Sequence, residues 1–210
     1  MRRAPHPAPH DPYWNHNTAY HPWILSQLRP GMRVLDVGCG DGLLAAKLAA
    51  AGCRPTGLEP DAAAFARAAA RLGGVPAATV QMCDFLSFDA PAQSFDAVLF
   101  VASLHHMNAR TALRKARTLL APDGVLLVVG LTRPAGAPDW LTEAARVLPA
   151  AIGSHLHGER GGGEIGVPTA PATQTLDELR ALSREQLPGA HLRRALYYRV
   201  LLSWQKRELP

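Results

Sequence analysis

Residues 33–42 read Arg33-Val34-Leu35-Asp36-Val37-Gly38-Cys39-Gly40-Asp41-Gly42, and how this stretch folds decides how the rest of the chain folds. A short apolar strand runs into a glycine-rich turn, and a helix-forming segment, Leu43 to Ala51, follows at once. Glycines carry no side chain to keep a ligand from the turn's backbone, and they accept positive φ. Amides left unpaired at the start of the new helix would face that ligand. Asp36 sits within the strand end, beside the crevice. Glu59 closes the next expected strand, Arg54 to Leu58, where its two carboxylate oxygens match the vicinal hydroxyls of a ribose. The stretch reads as a nucleoside-cofactor site.

The spacing of the glycines selects the cofactor. A dinucleotide fingerprint, G-x-G-x-x-G, begins directly after the strand. Counted from Gly38, Gly40 fits, but the third position is Leu43. A frame from Gly40 through Gly42 to Ala45 begins too far past the strand. A carboxylate just before the first glycine would also repel a pyrophosphate, whereas it suits an ammonium. The ligand that combines adenine, ribose and an amino-acid tail is S-adenosylmethionine.

The run Val34-Leu35-Asp36-Val37-Gly38-Cys39-Gly40-Asp41-Gly42 resembles the first motif of class I S-adenosylmethionine-dependent methyltransferases, and later segments continue the likeness in order. Thr56-Gly57-Leu58-Glu59-Pro60-Asp61 resembles the acidic loop after the second strand. Met82-Cys83-Asp84-Phe85 resembles the third-strand motif, in which an aspartate accepts the adenine amino group. Ser94 to Phe100 resembles the fourth strand, and Leu119 to Val129 the helix end, turn and fifth strand. The resemblance implies an α/β fold: a Rossmann-like, doubly wound, mostly parallel seven-stranded sheet with an antiparallel C-terminal strand. It implies S-adenosyl-L-methionine as cofactor, held by Asp36, Gly38, Cys39, Gly40, Glu59, Pro60, Asp84, Phe85 and Val101. Phe85 is read either as an adenine-stacking ring or as core.

At 210 residues the chain has room for one domain with a substantial core. We read 1–30 as an N-terminal helical lid and 31–210 as the cofactor-binding domain. Two arginines precede no apolar core at the N-terminus, so no secretion signal is read there, and no apolar run approaches bilayer length. Three scattered cysteines, Cys39, Cys53 and Cys83, argue against a disulfide framework or zinc site. A cytoplasmic, metal-independent protein is expected. The formal charge of +5 raises the question of nucleic acid, but the arginines are dispersed. The pairs Arg67/Arg71 and Arg110/Arg114 read as solvated helix faces. Nucleic-acid binding is disfavoured, and a basic surface would help attract an anionic small substrate.

Strand-like and helical runs alternate along the chain, which requires right-handed crossovers and helices on both faces of a parallel sheet. Strands are expected at Val34–Val37, Arg54–Leu58, Thr79–Met82, Ala97–Val101 and Val125–Gly130. Helices are expected at Leu43–Ala51, Ala62–Leu72, Arg110–Leu120 and Trp140–Val147, with Asp61 and Asn108 as N-caps. A helix around Asn17–Leu28 is interrupted near Pro22. Ala151–Thr173, with Gly161-Gly162-Gly163, breaks the pattern and reads as a long functional or disordered loop. Thr175 and Glu178 have capping-box spacing, and His191–Tyr197 with Arg199–Gln205 reads as an edge hairpin.

On the substrate side, His105 and His106 follow the fourth strand, where open α/β sheets place their crevice. Adjacent residues point apart, so one of the two at most faces the ligand, as a base or as a shaper of the pocket. Tyr13, Trp14, His16, Tyr20 and His21 form an aromatic and histidine cluster. It reads either as a helix packed on the domain or as a lid that brings His16 or Tyr20 to the substrate. His155-x-His157 lacks partners at metal-ligand spacing. The expected activity is methyl transfer to the oxygen, nitrogen or carbon of a small molecule. The alternatives are a non-methylating isomerase, lyase or cyclase on the same fold, a nicotinamide-dependent dehydrogenase, or an RNA or protein methyltransferase. Oligomeric state is left open.

Overall fold

The computed structural model describes residues 15–136, 172, 174–196 and 199–207. Tyr13, Trp14, the helix expected at Trp140–Val147, His155-x-His157, Tyr197 and nearly all of the Gly-rich stretch 151–173 lie outside the described residues. Seven strands form one sheet: β1 (Arg33–Val37), β2 (Arg54–Leu58), β3 (Thr79–Gln81), β4 (Phe95–Val101), β5 (Leu120–Leu131), β6 (His191–Arg194) and β7 (Arg199–Gln205). Their order is β3-β2-β1-β4-β5-β7-β6. The β1–β2, β1–β4, β2–β3 and β4–β5 pairings are parallel, and β7 runs antiparallel to both neighbours. The expected doubly wound sheet with an antiparallel last strand is therefore present. The hairpin enters by β7, which leaves β6 at the edge.

Central strands are buried on both faces, so they read as continuous apolar runs. Along β1 the faces alternate. Leu35 and Val37 pack with Val98, Phe100, Leu126 and Val128 beneath α4 (Ala109–Leu119) and α5 (Leu176–Gln186). Val34 joins Leu99, Leu127 and Val129 beneath α1 (His21–Ser26) and α2 (Leu43–Ala50). A further helix, α3 (Ala62–Leu72), buries Ala64, Ala68 and Leu72.

Local chemistry fixes the helix starts. Asp61 accepts from the Ala64 amide at 2.8 Å and Asn108 from the Thr111 amide at 3.0 Å. Thr175 and Glu178 close the expected capping box, at 3.2 and 2.7 Å. Boundaries differ from expectation in several elements, with β1, β4 and α2 off by one or two residues. The first helix is a short 3-10 turn, Thr18–Tyr20, followed by α1, because Pro22 stands at the helix start, where a missing amide costs nothing. β3 stops at Gln81, leaving Met82 59% exposed at the strand's end. α4 begins and ends one residue earlier than expected. β5 starts at Leu120, which pairs with Phe95 before the register shifts. β6 ends at Arg194.

Replacing Thr175 by Ala removes one side of the capping box. The expected loss is about 1 kcal/mol, or roughly 2–4 °C in melting temperature for a domain of this size. Ligand affinity should not change, because α5 does not border the glycine turn.

Candidate functional site

The carboxyl ends of β1, β2 and β4 meet at the glycine turn. Gly38, Gly40 and Gly42 have φ of +70, +58 and +77, so the left-handed geometry expected of glycine is used at all three. Two of them are also required by packing. A Cβ on Gly38 would lie 2.7 Å from the Cβ of Ser103, and one on Gly42 would lie 3.2 Å from Ala68 of α3.

The hydrogen bonds of this turn correct one expectation. The amides of Gly38 and Cys39 both donate to the Leu58 carbonyl, at 2.8 and 3.0 Å, and that of Gly42 donates to the Cys39 carbonyl at 3.0 Å. Gly40 donates to Glu59 Oε2 at 2.9 Å, and Leu43 to Asp41 Oδ1 at 3.2 Å. The amides of Gly38, Cys39, Gly40, Gly42 and Leu43 are therefore not open to an anion. The end of β2 and the turn's own aspartate have consumed them.

Arg71, which the sequence placed on a solvated face, holds the turn in position. Its Nε donates to the Asp41 carbonyl at 2.8 Å and its Nη2 to Asp41 Oδ2 at 2.6 Å, with the guanidinium three-quarters buried. The contact joins residues thirty apart in sequence, so helical spacing carried no sign of it.

Glu59 is buried at the end of β2. Each of its oxygens takes one backbone amide, Oε2 from Gly40 and Oε1 from Asp61 at 3.0 Å, so the carboxylate is held at both corners. A carboxylate has about four acceptor positions, which leaves room on both oxygens for a diol. Pro60 follows on the exposed rim.

Asp36, 1% exposed, is the last residue but one of β1, and its Oδ2 has no hydrogen-bond partner among the described residues. Burial, with a smaller push from the Glu59 charge, raises its carboxyl from 3.8 to about 7. Burial likewise pushes up the Cys39 thiol, helped by Asp36 and Glu59.

Two assigned cofactor residues turn inward. Cys39 places its sulfur 2.7 Å from where a Gly57 Cβ would stand, so it fills the space above β2 and its amide is already used. Phe85 is 2% exposed and meets Phe100 edge-on at 5.4 Å between centroids, with the Lys115 ammonium 5.5 Å from its ring. It is part of the core, carried there by the turn after β3. That turn is held by Asp84, whose Oδ1 accepts the Leu86 amide at 2.8 Å while the residue itself stays exposed at the rim. Met82, which the sequence reading had put inside β3, is the exposed apolar side chain beside it.

Val101, the last residue of β4, is half-buried against the α1–α2 side; past it, Ala102 adopts φ +52 and Ser103 is buried. Leu104–His106 forms a 3-10 turn. The rings of His105 and His106 do not point apart as expected. They stack, with centroids 4.1 Å apart and planes inclined by 37°, because a tight helical turn does not alternate its side chains as a strand does. His16 is half-buried in the turn before Thr18–Tyr20. Tyr20 donates its hydroxyl to the Leu196 carbonyl at 2.6 Å, and Arg199 donates from Nε and Nη2 to Asn17 Oδ1. The N-terminal segment is thereby tied to the β6–β7 hairpin at the carboxyl edge. The Tyr20 hydroxyl thus acts as a tether.

The methyltransferase-domain family profile matches residues 35–126. An uncharacterized methyltransferase of Mycobacterium tuberculosis is 37% identical over 93% of this chain and 98% of its own length. A ubiquinone biosynthesis O-methyltransferase of Xanthomonas axonopodis is 37% identical over 55% of this chain and 50% of its own. The solved 1,6-didemethyltoxoflavin-N1-methyltransferase of Burkholderia thailandensis, with 1,6-didemethyltoxoflavin and S-adenosylhomocysteine bound, superposes with a TM-score of 0.62. It does so at 19% identity over 91% of this chain and 78% of that one, a likeness of fold.

The buried Asp36 sets a pH dependence. Its folded value near 7 exceeds its unfolded 3.8, so the native state holds an extra proton between them. Stability of the ligand-free protein is then fullest below about pH 4 and falls as pH rises to about 7. The melting temperature should drop between about pH 4 and pH 7, and Asp36→Asn should remove most of that drop. Parallel profiles for the two proteins would show that Asp36 is not the group responsible.

Proposed function

Because this chain belongs to the class I S-adenosylmethionine-dependent methyltransferases, we propose that Asp36, the Gly38–Gly42 turn, Glu59 and Asp84 hold S-adenosylmethionine. Its methyl group goes to a small-molecule acceptor. The observation that carries this reading is the hydrogen bonding of the turn. With the Gly38, Cys39, Gly40, Gly42 and Leu43 amides occupied, the turn suits a ligand without phosphates. A buried acid with an unpartnered oxygen suits an ammonium, and a carboxylate fixed at both corners suits a ribose diol. Asp84, exposed at the rim, is the acceptor we assign to the adenine amino group.

Methyl transfer is a direct displacement at a carbon already activated by the sulfonium, so the protein's task is alignment and exclusion of water. The acceptor approaches over the ends of β4, β5 and β7, between the stacked His105–His106 pair and the tethered N-terminal segment that carries His16 and Tyr20. For an alcohol or carbon acceptor, a histidine of the pair serves as the base that takes the proton. A phenolate or carboxylate needs no base.

A small acceptor is supported by the loop after β4, Val101 to His106. It has none of the Asn-Pro-Pro-Tyr chemistry that grips a planar amide. Two of the similar proteins are named for acting on small molecules, one as an O- and one as an N-methyltransferase, so the accepting atom stays open between them.

Two measurements test this reading. In calorimetric titration, Glu59→Gln should lose roughly tenfold or more in affinity for S-adenosylhomocysteine, because charge-assisted hydrogen bonds contribute about 1.5–3 kcal/mol. With methyl-labelled cofactor and a cell extract, label should appear in the small-molecule fraction. Label in protein or RNA would contradict the acceptor class. Tight binding with no label transferred anywhere would favour a non-methylating enzyme on the same fold.

A further inference from the structure

Four acidic side chains surround the glycine turn, and three are committed. Asp41 is bound by Arg71 and Leu43, Glu59 by Gly40 and Asp61, and Asp61 by the Ala64 amide. Asp36 alone among them keeps a buried oxygen without a partner among the described residues. A second such atom is the hydroxyl of Ser103. Ser103 is 6% exposed, and its Oγ meets no partner among the described residues. It also presses on the first glycine, its Cβ standing 2.7 Å from where a Gly38 side chain would begin. The serine thus fills the space that Gly38 leaves, two residues beyond Asp36. Ala102, left-handed at φ +52 with its amide on the Val129 carbonyl at 2.7 Å, makes the bend that carries Ser103 there. Strained non-glycine backbone of this kind persists only where its surroundings enforce it, and it gathers at functional sites. Native proteins leave few buried polar atoms without a ligand, ion or water.

We propose that Ser103 is a cofactor-contacting residue whose Oγ, together with Asp36 Oδ2, seats the ammonium of the amino-acid tail of S-adenosylmethionine. The assignment rests on the cofactor reading above. An ammonium has three donors and no acceptor, which matches two acceptors of different charge. Asp36 supplies the charge, and Ser103 supplies a neutral acceptor that fixes direction. The tail's carboxylate does not fit here, since Asp36 would repel it and the neighbouring turn amides are occupied. Nothing in the family motifs quoted above marks position 103.

The test compares two ligands on the full chain. S-adenosylhomocysteine carries the amino-acid tail, whereas 5′-methylthioadenosine has the same nucleoside and lacks it. Ser103→Ala should weaken S-adenosylhomocysteine about tenfold, the scale of one hydrogen bond to a charged group, and leave 5′-methylthioadenosine unchanged. The melting temperature of the ligand-free variant should stay level or rise, because an unsatisfied buried hydroxyl has gone. Ser103→Cys, which keeps the size and offers a weak acceptor, should show a smaller loss on S-adenosylhomocysteine alone, and it serves should the alanine variant not fold. Unchanged affinity for S-adenosylhomocysteine would overturn the proposal and mark the hydroxyl as a partner of bound water. An equal loss for both ligands would also overturn it, as a general distortion of the pocket. Failure of the unmodified protein to bind S-adenosylhomocysteine would instead remove the cofactor reading itself.

Discussion

The carbonyl of Leu58, the last residue of β2, accepts the amides of both Gly38 and Cys39, and the next residue, Glu59, takes the amide of Gly40. Through these contacts the end of the second strand sews down the glycine turn that leaves the first. Register makes this possible, since the parallel pairing of Val37 with Leu58 brings the two strand ends level. Once those amides are spent, what remains at the carboxyl edge is acid: Glu59, fixed at both oxygens, and Asp36, buried behind the turn. Phosphate recognition by open amides and recognition of an adenosyl amino acid by carboxylates are thus alternative uses of one strand-turn-helix. The fate of a few hydrogen bonds decides between them.

The arrangement costs stability locally. A carboxyl raised to about 7 by burial, an alanine in the left-handed region and two buried polar atoms without partners are all features that a structure optimised only for stability would lack. The buried carboxyl and hydroxyl sit at the carboxyl ends of β1 and β4, beside the turn. Such concentration is expected where function needs geometry that folding alone would not choose. The surrounding scaffold compensates through ordinary means: the Arg71–Asp41 pair, the Asp61 and Asn108 caps, and the capping box at Thr175.

Much of the fold was legible because its signals are local. Val34, Leu35 and Val37, like Ala97–Val101, are apolar on neighbouring residues because both faces are covered. Asp61, Asn108 and Thr175 announce helices through side chains that bond amides three residues on. What stayed hidden depends on residues distant in sequence. Whether Phe85 faces an adenine or the core is set by Phe100 across the sheet, and Arg71 finds Asp41 only after α3 has packed over the turn. Ser103 is unremarkable until Gly38 is seen against it. The stacking of His105 on His106 needed a 3-10 turn where a strand exit was expected. The extension of β5 back to Leu120 runs through Pro122 and Asp123, residues that argue against a strand. The residue after β7 supplies pairing there: the Asp123 amide donates to the Lys206 carbonyl, and the Lys206 amide donates to the Gly124 carbonyl.

The central claim is that this crevice is built for an adenosyl amino acid and against a pyrophosphate. Parallel calorimetric titrations of the protein with S-adenosylhomocysteine and with NAD test it most directly. The account predicts saturable one-to-one binding of the first and none of the second. Binding of NAD, or silence toward S-adenosylhomocysteine, would contradict it.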